Sequence, residues 1–182
     1  LVDLSWLPDG GTGHLHPTQE AESFWMTVKS ITGFKNLMEI GFNAGHSSSF
    51  LLELFEDINV HSYDIALYDI THNNSKLVKE KYKERFEFFL KDSLTIKPNE
   101  IPSDYDILFV DGNHKPKWVS NDLNLGIQYG FKYIVLDDLQ NPNVSNTLKT
   151  FDNLDVIVED TYYSRKPNMS VGQSEIMLLE VI

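Results

Sequence analysis

The chain has 182 residues, 41% of them hydrophobic and 12% aromatic, which suits one packed domain and excludes extended disorder. A net charge of −12 argues against a general nucleic-acid binder, whose phosphate contacts need a basic face. Cysteine is absent, which excludes a disulfide framework, a thiol nucleophile and a cysteine-ligated zinc.

No apolar run reaches membrane-spanning length and no basic-headed leader is visible, so the expected address is cytoplasmic and away from membranes. Residues 1–15, with Pro8-Asp9-Gly10-Gly11-Thr12-Gly13, read as an irregular opening segment. His16-Pro17-Thr18-Gln19-Glu20 starts a helix with Phe24, Trp25, Val28 and Ile31 as its apolar stripe, ending at Gly33. Leu37–Ile40 reads as a buried strand with Glu39 near its end. It runs into a turn bounded by Gly41 and Gly45, and Ser47-Ser48-Ser49 supplies capping hydroxyls for the helix through Phe50 to Phe55. A strand, a glycine turn and a helix start make a nucleotide-binding corner.

Asn59–Ala66 is the second strand, carrying Asp64. A solvated helix follows over His72–Arg85, with Leu77 and Tyr82 available for its inner face. Phe86–Leu90 leads to Asp92-Ser93, and the continuous apolar run Tyr105–Val110 leads to Asp111-Gly112-Asn113-His114. A helix over Lys117–Tyr129, a strand Tyr133–Leu136 ending in Asp137-Asp138 and a helix over Val144–Phe151 come next. Leu154–Tyr163 and Glu175–Ile182 close the chain as consecutive strands. This order specifies one domain over 1–182, an α/β, Rossmann-like, doubly wound and mostly parallel seven-stranded sheet with an antiparallel C-terminal hairpin.

Ligands of such sheets bind beyond the carboxyl ends of the strands, and here those ends are rich in carboxylates. Asp64 is placed to accept hydrogen bonds from ribose hydroxyls, and Asp92 or Ser93 to meet an adenine amino group. Asp111, Asp137 and Asp138 end two strands expected to be neighbours. Their mutual repulsion is relieved by a hard divalent cation such as magnesium or calcium. His114, three residues beyond Asp111, is a candidate general base. His46 packs over the glycine turn or contacts a cofactor. His61 and His72 read as surface residues, and Trp25 and Trp118 as helix core.

The sequence resembles the class I S-adenosylmethionine-dependent methyltransferases. Within them it is similar to the divalent-metal-dependent O-methyltransferases, which include the catechol, caffeoyl-CoA and macrocin-type sugar enzymes. Glu39-Ile40-Gly41-Phe42-Asn43-Ala44-Gly45-His46-Ser47 looks like their first motif. Thr18-Gln19-Glu20 is similar to the segment that lies over the cofactor. Phe109-Val110-Asp111-Gly112-Asn113-His114 resembles the Asp-centred metal motif, and Leu136-Asp137-Asp138 the paired second one. Asn113 departs from the acid that sugar-type members place there.

The resemblance implies S-adenosyl-L-methionine bound by Glu39, Gly41, Phe42, Asn43, Gly45, His46, Ser47, Asp64, Asp92, Ser93 and Asp111. It implies Mg2+ or another divalent cation on Asp111, Asp137 and Asp138, with Asp111 and His114 catalytic. The implied acceptor is a small-molecule hydroxyl, a sugar among the candidates, and a homodimer is compatible with the sequence. Metal-free methylation of nitrogen or carbon, a non-catalytic cofactor-binding module and an NAD-dependent oxidoreductase are the competing readings. The Gly-x-x-x-Gly spacing counts against the last.

Overall fold

The computed structural model describes residues 1–9, 14–15, 17–97, 100–165 and 172–182. One mixed sheet of eight strands organises it, in the order β1-β7-β8-β6-β5-β2-β3-β4. The strands are β1 (His14–Leu15), β2 (Asn36–Ile40), β3 (Asn59–Asp64), β4 (Phe86–Leu90), β5 (Ile107–Val110), β6 (Tyr133–Leu136), β7 (Leu154–Arg165) and β8 (Gly172–Val181). β2 to β6 pair in parallel through helical or looped crossovers, while β8 runs antiparallel to both β6 and β7. The sheet therefore has the expected doubly wound form with its closing hairpin. One element is additional: β1, two residues long, pairs antiparallel with β7.

Helices cover both faces. α1 (Gln19–Thr32), α2 (His46–Leu54) and α3 (Asp69–Tyr82) pack through Phe24, Trp25, Phe50, Leu51 and Val78 on one side. α4 (Pro116–Gln128) and α5 (Pro142–Leu148) pack through Val119, Leu123 and Val144 on the other. Alternation along β2 divides the two cores, with Leu37 facing the first and Met38 and Ile40 the second. Trp25 lies edge-on to Phe109 at 5.2 Å, which locks α1 against the sheet centre.

Helix starts match or differ from expectation by local chemistry. Thr18, within the expected starting segment, caps α1 by accepting from the Ala21 N–H at 3.2 Å, and Gly33 ends it in the left-handed region. α3 starts at Asp69, and its inner face is Val78 and Tyr82, with Leu77 exposed. Ile31 likewise lies on the outer side of α1. Within the opening segment residues 1–9 are irregular and residues 14–15 form β1, a strand the sequence did not suggest, and Leu4 and Leu7 enter the first core. Among the described residues no helix is long and apolar enough to cross a membrane.

Register places the candidate chemistry. Val110 pairs with both Ile40 and Leu136. The backbone then steps off the sheet with the Asp111 N–H on the Ile40 carbonyl (2.9 Å) and the Asp137 N–H on the Val110 carbonyl (3.1 Å). The residues after β2, β5 and β6 are thereby brought to one rim.

Candidate functional site

A crevice of about 930 Å3 opens along that rim. Its floor is the turn after β2, held from behind. Glu39 is fully buried and accepts hydrogen bonds from the hydroxyls of Ser47 (2.5 Å), Ser48 and Ser62 (2.5 Å). Burial pushes its carboxyl upward, and the three hydroxyls work against that shift. Glu39 thus ties β2, α2 and β3 together beneath the ligand space and does not line it. The serine run correspondingly does not cap α2. Gly45, in the left-handed region at φ 81°, occupies the cap position without a side-chain bond, and Ser47 and Ser48 turn inward to Glu39.

Two glycines of the turn are required by contact. A Cβ on Gly41 would lie 2.0 Å from the Asp111 carbonyl oxygen, and one on Gly45 would lie 2.4 Å from the Phe42 ring. Phe42 itself is buried against Phe86 and Phe88, so it supports the turn from the core while also reaching the crevice wall. Asn43 has φ 48°, and its N–H donates to Asp64 at 2.9 Å. The same carboxylate accepts from the Ala66 N–H at 2.6 Å. Asp64 therefore couples the turn to the loop after β3.

Of the residues expected to bind cofactor, Gly41, Phe42, Asn43, His46, Ser47, Asp64, Asp92, Ser93 and Asp111 line the crevice. Glu39 and Gly45 lie behind it. Thr18, Gln19 and Glu20 form the start of α1 and do not line it either. Asp92 also accepts from the Leu94 N–H at 3.0 Å, capping the short helical turn Ser93–Thr95. Beneath Ser93 sits Asp122 of α4, which bonds both Ser93 and Asn121; burial pushes its carboxyl up to about 6.

At the other end of the crevice Asp111, His114 and Asp138 each offer a ligand atom, all within 4.8 Å of one another. His114 Nε2 is 2.9 Å from Asp138 Oδ2. Burial, and then the charges of Asp137 and Asp138, hold the Asp111 carboxyl well above its usual range. Asp137 does not join this group. Its Oδ1 accepts from the Asp138 N–H (2.7 Å) and its Oδ2 from the Tyr162 hydroxyl, and burial pushes it up to about 7. Of the expected cation set, Asp111 and Asp138 come together, with His114 beside them, while Asp137 is turned away. Consecutive residues leaving a strand point in different directions, and Asp138 at φ 59° turns its carboxylate toward the crevice.

Several contributors were not singled out from the sequence. Tyr162 of β7 and Gln140 reach the same end of the crevice, and Trp118, read from the sequence as helix core, is half-buried and lines the crevice instead. His61 is half-buried, with Nδ1 2.5 Å from the Tyr105 hydroxyl. His72 is exposed as expected. The polar loop Ser164–Gly172, whose Arg165 and Lys166 the sequence offers for an anionic acceptor, lies outside the described side chains.

The fold has known counterparts. Solved structures share the fold at low identity, and three illustrate their range. Cofactor-bound Rv0187 from MTB has TM-score 0.68 at 14% identity, covering 92% of this chain and 82% of that one. A Klebsiella pneumoniae protein described as an O-methyltransferase has TM-score 0.61 at 18% identity, covering 97% and 84%. Streptococcus pneumoniae Sp1610, described as a tRNA (m1A22) methyltransferase and solved with S-adenosyl-L-methionine, has TM-score 0.60 at 14% identity, covering 87% and 72%. No curated protein matches in sequence. A family model described as a methyltransferase domain matches residues 38–139, which run from β2 through the glycine turn to the acid pair after β6. That match takes in more than half of the chain and both ends of the crevice, and the chain belongs to this methyltransferase-domain family.

Proposed function

We propose that the protein transfers a methyl group from S-adenosyl-L-methionine to the hydroxyl oxygen of a small molecule, with a divalent cation held by Asp111 and Asp138. The observation that carries this reading is the Asp111–His114–Asp138 group at one end of a crevice whose other wall is the glycine turn with Asp64. The cofactor assignment is supported by the family match and by the S-adenosyl-L-methionine complex of a protein of the same fold.

The donor set fits a cation. Carboxylate oxygens suit Mg2+, and an imidazole within reach extends the fit to Mn2+. Partly buried carboxylates this close repel each other, which a divalent ion offsets. When bound, such an ion supplies Lewis acidity that lowers the pKa of an acceptor hydroxyl. Asp64 and the N–H groups of the glycine turn bind the nucleoside end, and the buried wall around Tyr162 excludes water. Asp138 orients His114. With the proton on Nε2 against Asp138, Nδ1 is the basic nitrogen that takes the hydroxyl proton. The net charge of −12 favours a small acceptor over a nucleic acid, and the polar lining of Gln140, Asn141 and Ser174 suits a hydroxylated one such as a sugar.

The test is calorimetric binding of S-adenosylhomocysteine, followed by methyl transfer to a panel of sugars and catechols with Mg2+ or with chelator. Binding with cation-dependent transfer is expected. Transfer that persists in chelator would select metal-free methylation, and binding without transfer to any hydroxyl would select a non-catalytic module.

A further inference from the structure

The two adjacent carboxylates after β6 have separate surroundings, and the closing hairpin creates the separation. Asp137 is buried with both oxygens engaged, one by the Asp138 N–H and the other by the Tyr162 hydroxyl from β7. Asp138 is only partly buried and faces the crevice, one oxygen accepting from Gln140 Nε2 and the other 2.9 Å from His114 Nε2. Gln140 is itself held from β8. Its Oε1 accepts from the Glu175 N–H at 2.9 Å, and its Nε2 lies 3.4 Å from Ser174 Oγ. The Leu139 N–H adds a bond of 3.1 Å to the Glu175 carbonyl, which fixes the segment after the acid pair against the sheet.

The backbone explains why a clamp is needed. Asp138 sits at φ 59°, where a side chain other than glycine is disfavoured by about 1 kcal/mol or more. Left to itself, this dipeptide can relax to a right-handed or extended geometry that presents the other carboxylate. Tyr162 satisfies Asp137 in the inward position, and Gln140 holds Asp138 in the outward one.

We infer that Gln140 and Tyr162 are positioning residues that select Asp138 over Asp137 as the carboxylate presented to a cation beside Asp111. The inference rests on the cation reading proposed above and goes further by assigning the selection to the β7–β8 hairpin, whose Tyr162 lies 25 residues from Asp137 in sequence. Neither residue needs to touch a cation or an acceptor to act in this way. Carboxylates that ligate metals depend on such supporting hydrogen bonds, and losing one commonly costs 10- to 100-fold in affinity.

The experiment is Mn2+ titration of the full chain by electron paramagnetic resonance, with S-adenosylhomocysteine affinity and melting temperature measured on every variant. Asp138→Asn should abolish Mn2+ binding, whereas Asp137→Asn, an isostere that still accepts from the Asp138 N–H, should leave it within about threefold. Gln140→Ala should weaken Mn2+ about tenfold while leaving S-adenosylhomocysteine affinity and melting temperature near wild type. Tyr162→Phe should weaken Mn2+ too, and Gln140→Ala carries the test if that variant unfolds. Wild-type Mn2+ affinity in Gln140→Ala, or loss in Asp137→Asn as complete as in Asp138→Asn, overturns the inference. A wild-type protein that binds no Mn2+ overturns the cation reading and the selection together.

Discussion

The carbonyl oxygen of Asp111 occupies the space that a side chain on Gly41 would need: a Cβ there would lie only 2.0 Å from it, at a backbone φ of 105°. The nucleotide-binding turn and the carboxylate end of the crevice are therefore in direct backbone contact. Gly41→Ala should damage both ends together. We expect a loss of at least about 2 kcal/mol in stability, from overpacking and a disfavoured backbone. S-adenosylhomocysteine and Mn2+ affinities should fall in parallel, as followed by urea unfolding and calorimetry. Loss of one affinity with the other intact would show that the two ends are independent.

Asp64 lines the crevice and ties its own loop to the glycine turn. Asp64→Ala removes the acceptor for the Asn43 and Ala66 N–H groups and any bond to ribose. S-adenosylhomocysteine should bind about 10- to 100-fold more weakly, since a hydrogen bond to a charged acceptor is worth about 1.5–3 kcal/mol. Asp64→Asn, which keeps one acceptor oxygen, should lose less. Equal affinities for Asp64→Ala and wild type in calorimetry would remove Asp64 from the binding site.

Asp111 opposes the fold that it serves. Its carboxyl is held high by burial and by the neighbouring Asp137 and Asp138, so its ionised form destabilises the cation-free protein. Asp111→Asn should raise the melting temperature in chelator and abolish any stabilisation by Mn2+ expected of wild type. A lower melting temperature in chelator would contradict the account of repulsion.

Asp122 sets a pH dependence of its own. Its carboxyl is raised from 3.8 to about 6 in the folded protein, so between those values the native state binds more protons than the unfolded chain. Stability from this group is fully present below about pH 4 and is lost as pH rises through 6, by about 3 kcal/mol for a shift of that size. Asp122→Asn should remove this decline and be the more stable protein at pH 7. Urea unfolding of both proteins from pH 4 to 8 measures it, and parallel profiles would show that Asp122 does not titrate in that range.

Much of this arrangement was legible in the chain. The run Leu37–Ile40 before Gly41, and the carboxylates after successive apolar strands, are local patterns that fix strand ends whatever the rest of the fold does. Three features were not legible, because they depend on partners remote in sequence. Glu39 reads as a ligand-facing acid until Ser62 on the next strand is seen to bond it from within. Ser47 and Ser48 read as caps because nothing in their own turn reveals the buried carboxylate. Which of Asp137 and Asp138 faces the crevice depends on Tyr162 and Gln140, whose positions follow from the hairpin pairing.

The position of β8 has a consequence for how the protein comes into being. β8 is inserted between β6 and β7, antiparallel to both, and Glu175 from it grips Gln140. On a ribosome, β6 and its acid pair emerge well before the strand that braces them. A nascent chain can assemble the glycine turn and the parallel half of the sheet, yet it cannot sort its two aspartates until residues 172–181 have left the exit tunnel. Competence to hold a cation at Asp138 would then arise only once β8 has been inserted between β6 and β7.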